Sequence, residues 1–407
     1  MTEKSQILEI TSDVQWIGVL DPDLTVFDIV METKYGTTYN AYFIDAQKKT
    51  LVETVKDKHT AEYFAKLRVL CNPEEIEYIV MDHTEPDHSG SLPALLEIAP
   101  NATVVGTAQA LTYLNEIVNH PFNSLKVKDG DTLDLGDKTL RFISAPNLHW
   151  PDSMYTYLVE DKLLFTCDSF GAHYCFAPVF DDLITHQDEY DEAFQYYFDC
   201  ILRPYSKFLV NAIEKIASLD ITAVCTGHGP VLRGKWKEIV SKSDRLAREY
   251  MNITEGKNNR ILIVYVSAYG YTRQMADWIK KGIEQAGDFE VECLDIEFVS
   301  MGELDAAITK ADALLVGSPT INQNTLLPVY KLFATINPLR DRGKPAAAFG
   351  SYGWSGEATH LIENNLSGLK LKIVQKAYKG KFCPGEEQTQ ELIEFGRKFT
   401  EEMRMKS

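Results

Sequence analysis

The chain has 407 residues, 45% hydrophobic and 25% charged, which is the composition of a soluble globular protein; at roughly 150 residues per domain its length allows two or three domains. Its 59 acidic residues outnumber 41 basic ones, and the net charge of −18 excludes a protein built mainly to neutralise nucleic-acid phosphates or an anionic lipid surface. The seven cysteines are odd in number and include no CxxC pair, which excludes a disulfide framework and a zinc knuckle.

Free thiols in a reducing compartment are expected. No apolar run approaches the roughly 18–20 residues of a membrane span, and MTEKSQILEI lacks a basic-then-apolar leader, so a cytoplasmic protein with no membrane or nucleic-acid partner is expected. In chain order, Thr37 to Asp45, Ile76 to Asp82, Ala102 to Thr107, Lys138 to Ser144, Tyr155 to Glu160 and Lys162 to Asp168 read as strands. Thr60 to Leu70 and the region from Asp188 to Ser218 read as helices. A polar stretch bearing Gly and Asn, Ile253 to Arg260, marks a linker, so domains are expected at residues 1–254 and 255–407. Beyond it the chain alternates: strand ILIVYV from Ile261, a helix from Arg273, then strands VECLDI, ALLVGS and AAAFGS separated by helices, and a final helix. Continuous apolar strands alternating with helices predict a doubly wound α/β sheet with ligand loops at the carboxyl ends of its strands.

The first part carries a dense set of metal-capable side chains. His83, Glu85, Asp87 and His88 fall within six positions, HTEPDH, directly after the strand ending at Asp82. The segment is expected to be a turn rather than a helix, fanning these groups toward one centre. His149, Asp168 and His228 each follow a later strand-like run. One histidine in a loop is ordinarily solvated, but four ligand-type residues this close repel one another without a cation. Four imidazoles and three carboxylates exceed the needs of one tetrahedral zinc, so two metals are implied. Three hard anionic oxygens suit iron that cycles between its ferrous and ferric states. His173 and Tyr197 are candidate outer hydrogen-bond partners and proton suppliers, and Trp150 is expected to line the pocket.

HxExDH followed by distant His, Asp and His resembles the metallo-β-lactamase-type αββα sandwich in the variant carried by flavodiiron proteins (A-type flavoproteins). Hydrolases of the wider superfamily have HxHxDH, and Glu85 stands here in place of the second histidine. A zinc-dependent hydrolase with an accessory flavodoxin-like domain is the alternative. The resemblance implies that His83, Glu85 and His149 hold one iron and Asp87, His88 and His228 the other, with Asp168 bridging. Some members of that family hold the residue matching His88 off the metal.

In the second part, the loop of Ser267, Tyr269, Gly270, Tyr271 and Thr272 lies between a strand and a helix, where backbone N–H groups and hydroxyls meet an anion at the helix amino terminus. The absence of GxGxxG argues for a single phosphate rather than a dinucleotide. This loop resembles the flavodoxin phosphate loop, although Tyr269 stands where many flavodoxins have Thr. Two later loops carry Pro319, Thr320 and Asn322, and Ser351, Tyr352, Gly353, Trp354 and Gly356. In the flavodoxin-like arrangement they would flank an isoalloxazine ring, so FMN is the expected cofactor.

Over the whole chain the resemblance implies an α+β lactamase-like di-iron domain followed by an α/β flavodoxin-like domain. Electrons would come from a separate donor, such as rubredoxin or a reduced deazaflavin, through FMN to the iron pair. There O2 would be reduced to water, or two NO joined and reduced to N2O. A head-to-tail homodimer is also implied, because within one chain of this family the two cofactors are too far apart for fast transfer; a tetramer is left open.

Overall fold

The computed structural model describes residues 6–27, 31–254 and 259–405. The chain forms two compact units, Met1–Met251 and Asn252–Ser407. Of the expected linker, residues 255–258 lie outside the described residues, and the residues before them end a helix, Trp236–Thr254.

In the first unit a seven-stranded sheet runs in the order Leu8–Thr11, Val14–Trp16, Tyr42–Ile44, Lys49–Val52, Ile76–Val80, Thr103–Gly106, Asn123–Lys126. A five-stranded sheet follows: Thr132–Asp134, Thr139–Ser144, Met154–Leu158, Leu163–Cys167, Ala223–Thr226. Side chains alternate between faces with a period of two. Tyr42, Ile44, Val52, Val80 and Val105 meet Phe142, Leu163, Phe165 and Cys225 in a core between the sheets. Their neighbours Phe43, Leu51, Ile79 and Val104 face outward onto helices Thr60–Leu70, Leu92–Ile98 and Ala108–Val118. On the other side, Ile143, Leu164 and Val224 pack against Gln187–Tyr197, Ser206–Ile216 and Trp236–Thr254. The layering is helix, sheet, sheet, helix, as expected.

Three local expectations are corrected. Thr37 to Asp45 is two strands, not one: Thr37–Tyr39 pairs with Val19–Asp21 in a separate ribbon, and Tyr42–Ile44 enters the large sheet. The break is at buried Asn40, whose amide donates to the carbonyls of Thr226 and Gly229. The helical region from Asp188 to Ser218 is interrupted by a π-turn at Phe198–Leu202 and a 3-10 turn at Arg203–Tyr205, where Pro204 removes a backbone donor. Within HTEPDH, Pro86–Ser89 closes one α-helical turn, with Pro86 at the first position, where its missing N–H costs nothing.

The second unit is a parallel sheet in the order Glu290–Asp295, Arg260–Tyr265, Ala313–Gly317, Pro345–Tyr352, Lys372–Ile373, with Tyr378–Lys381 pairing onto the far end of Pro345–Tyr352. Ile261, Ile263, Leu315 and Phe349 face helices Tyr271–Ala286 and Glu386–Met405. Leu262, Val264, Leu314 and Val316 face Met301–Lys310, Leu327–Thr335 and Ala358–Gly368 on the other side. Helices therefore cover both faces, and the chain reverses direction across the sheet beside Arg260–Tyr265, the switch point at which such sheets bind ligands.

Candidate metal centre and cofactor cleft

The lactamase-like unit gathers its metal-capable residues at one edge. Thr139–Ser144 and Leu163–Cys167 are both antiparallel to Met154–Leu158, and Ala223–Thr226 is parallel to Leu163–Cys167. The loops after these three strands, carrying His149, Asp168 and His228, therefore leave the sheet at the same end. Met154 begins its strand there and donates its N–H to Asp82 O at 2.9 Å, which ties in the strand that leads to His83. Glu85 precedes the single turn Pro86–Ser89, so Glu85, Asp87 and His88 project in different directions from one short segment.

All seven predicted ligands converge. His83, Glu85, His149 and Asp168 form one set, and Asp87, His88 and His228 form another; within each set the ligand atoms lie within 4.8 Å of one another. His149 Nε2 is 2.9 Å from Glu85 Oε2, and His83 Nε2 is 3.3 Å from the same oxygen. His228 Nε2 is 3.1 Å from Asp87 Oδ2. Asp168 divides itself between the sets: Oδ2 lies 3.3 Å from His149 and 3.5 Å from His83, while Oδ1 lies 3.2 Å from His88 and 3.5 Å from His228.

These contacts fit a pair of cations. His228 Nδ1 lies 2.6 Å from the carbonyl of Thr38, which can only accept, so that nitrogen carries the proton. In the neutral imidazole the lone pair of Nε2 would then face the Asp87 carboxylate, acceptor against acceptor, an opposition that a cation between them resolves. Both oxygens of Asp87 and Oδ2 of Asp168 are buried without a hydrogen-bond partner, a costly state for an anion unless a cation compensates it. Four imidazoles with three carboxylates satisfy two metals and overfill one, and the oxygen-rich half suits iron.

The electrostatics agree. Burial opposes charge on His83, but its contacts with Asp152 and Glu85 and the Asp168 charge prevail and push it up to about 10. His149 is pushed up to about 9, burial being outweighed by Asp168 and Glu85. Burial would raise the Asp168 carboxyl, yet the surrounding histidines hold it well below the usual carboxylate range.

Around this centre, His173 is buried; its Nδ1 lies 2.9 Å from Thr37 Oγ1, its Nε2 has no partner, and its ring sits 5.1 Å from that of His228. Tyr197 is buried 4.8 Å from the His173 ring; burial, with the Asp168 charge behind it, pushes its hydroxyl well up, so it stays protonated. Trp150 meets His83 edge-on at 5.3 Å. Sequence reasoning missed two carboxylates. Asp152, three residues after His149, lies 3.0 Å from His83 Nδ1. Buried Glu53 accepts from the backbone N–H groups of Asp82 and His83. Asp152 was findable as an acid on the ligand loop, whereas Glu53 carries no local signal.

The flavodoxin-like unit has a cleft of about 320 Å³ at the carboxyl ends of its central strands. Tyr269, Tyr271, Pro319, Thr320, Asn322, Ser351, Tyr352, Gly353 and Trp354 line it, joined by Ile321, Gln323, Ser355 and Phe382, which the sequence did not single out. Ser267, Gly270, Thr272 and Gly356 do not line it. Thr272 is buried with its hydroxyl 3.0 Å from Ser351 Oγ, and Ser267 Oγ accepts from Arg273 N at the start of the helix. Gly270, at φ +83, precedes that helix with open space around it, at a helix amino terminus of the kind that receives an anion. Trp354 is 87% exposed and Tyr269 78%, aromatic faces with no packing partner to hold them in a core. Flat aromatic walls beside a helix amino terminus fit a planar ring bearing a phosphate.

Comparison with known proteins gives two family matches: ODP family beta lactamase over residues 37–229 and flavodoxin over residues 263–396. The chain is 39% identical over 395 residues to Flavo-diiron protein FprA2 of Clostridium acetobutylicum, covering 96% of this chain and 98% of that one. It is 35% identical over 400 residues to a nitric oxide reductase of Moorella thermoacetica, covering 97% and 98%. Among solved structures it is similar to rubredoxin oxygen:oxidoreductase from Desulfovibrio gigas, with TM-score 0.75, 28% identity and coverage of 98% and 99%. It is likewise similar to the flavodiiron protein of Giardia intestinalis, with TM-score 0.72, 29% identity and coverage of 98% and 97%. With lactamase-like and flavodoxin-like units in this order, and relatives that match it nearly end to end, the chain belongs to the flavodiiron protein family.

Proposed function

We infer that this protein is an oxidoreductase that reduces O2 to water, NO to N2O, or both, with electrons taken from a separate donor through FMN. The observation that carries this reading is Asp168, whose two oxygens face different histidine pairs, as a carboxylate shared by two metals must. When bound, FMN relays electrons singly and the iron pair supplies the redox chemistry of the gas.

The chain's own residues supply the rest. His83, Glu85 and His149 would hold one iron and Asp87, His88 and His228 the other, with Asp168 common to both. Tyr197 offers a hydroxyl that keeps its proton near neutrality, and Trp150 walls the His83 side against water. Tyr352, Gly353 and Trp354 would flank the flavin ring, with Ser267 to Thr272 around its phosphate. The names nitric oxide reductase and rubredoxin oxygen:oxidoreductase among the relatives support both gases and a rubredoxin-type donor; a reduced deazaflavin is the other candidate. A head-to-tail homodimer, or a tetramer built from it, completes the reading. Among the described residues no helix is long and apolar enough to cross a membrane, and the seven cysteines, none of them in a disulfide, suit the cytoplasm. The hydrolase alternative is not favoured, since Glu85 departs from the hydrolase motif and the relatives carry oxidoreductase names.

The test is anaerobic reduction of iron- and FMN-loaded protein with rubredoxin, followed by separate measurement of O2 and NO consumption. Turnover of either gas that disappears in Asp168→Ala supports the reading. Purified protein that holds zinc without iron and consumes neither gas overturns it.

A further inference from the structure

At two of the four candidate metal histidines, Nδ1 rests on an acceptor: His83 on Asp152 and His228 on the Thr38 carbonyl. At His88 two groups compete for that nitrogen. Glu53 Oε2 lies 3.3 Å away and the Cys167 sulfur 3.5 Å away, the sulfur lying also 3.7 Å from Nε2. Glu53 is 2% exposed and sits at φ +64, a region costly for a residue with a side chain. Its Oε1 accepts from Asp82 N at 2.5 Å and His83 N at 3.2 Å, so the main chain clamps one oxygen, and the other faces His88, with the Cys167 thiol 4.0 Å from it.

A neutral imidazole has one proton to place. A carboxylate can only accept, whereas a thiol can donate. With Glu53 at Nδ1 the proton stays there, and Nε2 turns its lone pair toward Asp168 Oδ1 at 3.2 Å and Asp87 Oδ2 at 3.5 Å. A thiol donating to Nδ1 would reverse the tautomer and put a proton where the metal must bind. The ring is also held sterically: any side chain at Gly227 would place its Cβ 2.8 Å from His88 Cε1. The choice left open is therefore one of tautomer.

We propose that Glu53 is a positioning residue that fixes His88 in its metal-binding tautomer and so governs filling of the site built from Asp87, His88 and His228. The inference rests on the di-iron reading above. In the full-length protein, Glu53→Gln can still accept from Asp82 and His83 through its amide oxygen, while its NH2 faces Nδ1 and drives the proton to Nε2. The second iron should then bind about 10- to 100-fold more weakly. The first iron and FMN should be retained, and the Mössbauer spectrum of iron-57-loaded protein should lose the component of one iron. In a His88→Ala background the same substitution should change second-site affinity less than about twofold, since nothing remains for it to act through. Glu53→Asp, which keeps an acceptor, should lose less than Gln, and it replaces Gln in the test if that variant does not fold. Two irons at undiminished affinity in Glu53→Gln, or an equal loss with and without His88, overturns the proposal. Wild-type protein that takes up fewer than two irons overturns the di-iron reading instead.

Discussion

Asp152 Oδ2 lies 3.0 Å from His83 Nδ1 and also accepts from the backbone N–H and the hydroxyl of Thr84, at 2.8 and 2.9 Å. One fixed oxygen thereby sets both the tautomer and the ring orientation of a candidate ligand. Asp152→Ala removes the acceptor and leaves His83 free to carry its proton on Nε2. Affinity for iron at the His83–Glu85–His149 set should fall about 10- to 100-fold, read by competition with a chelator. Asp152→Asn can present an amide oxygen at the same place and should lose less. Equal losses in the two variants would mean that Asp152 contributes charge rather than orientation.

The raised histidines make metal uptake pH-dependent, with a definite sign. His83 at about 10 and His149 at about 9 hold their protons near neutrality in metal-free protein, because Asp152, Glu85 and Asp168 outweigh their burial. Metal needs those nitrogens bare, so loading must release protons. Iron affinity should therefore rise from about pH 6 to 8, roughly tenfold per pH unit for each proton displaced. Calorimetric titration in buffers of different ionisation enthalpy counts the protons directly and should return about two from this pair. An affinity that is flat across the range would contradict the assignment of His83 and His149 as ligands.

Asp168→Asn tests the shared carboxylate. A neutral amide offers one oxygen and one NH2, so it can face one histidine pair as an acceptor and must present donors to the other. Iron bound per chain should drop from about two to one or fewer. FMN content, which depends on residues of the other compact unit, should not change. Two irons retained in this variant would remove Asp168 from its bridging role.

Much of the centre was legible because its residues are conspicuous: His83, Glu85, Asp87 and His88 crowd one strand end, and His149, Asp168 and His228 each follow another. Polar ligands at the ends of apolar strands stand out against their surroundings. Glu53 did not, because one carboxylate among 59 acidic residues reads as solvated until tertiary contact brings it to His88, 35 positions away in sequence. Secondary structure failed where tertiary bonds overrode local pattern, as at Asn40, whose ties to Thr226 and Gly229 split an otherwise continuous strand. Pro86 is a different case. A proline also opens helical turns, so the Pro86 that suggests a non-helical turn is equally the first residue of the helical turn Pro86–Ser89. Phe382 joins the cofactor cleft from just after the strand Tyr378–Lys381, whose pairing with Pro345–Tyr352 no motif announces.

Trp354 separates binding from stability. At 87% exposure its ring contributes little to the packed core, so Trp354→Ala should leave the unfolding free energy of the flavin-free protein within about 0.5 kcal/mol. The same ring lines the cleft with Tyr269, Tyr352 and Phe382. If it stacks on the flavin, its loss removes about 0.5–1.5 kcal/mol, and the dissociation constant for FMN should rise roughly two- to tenfold. Quenching of flavin fluorescence on titration into apoprotein reads that change, and Trp354→Phe, which keeps a flat aromatic face, should restore most of it. Unaltered FMN affinity in Trp354→Ala would place the ring elsewhere. A large drop in stability would mean that the exposed indole supports the loop of Gly353 to Gly356 rather than the ligand.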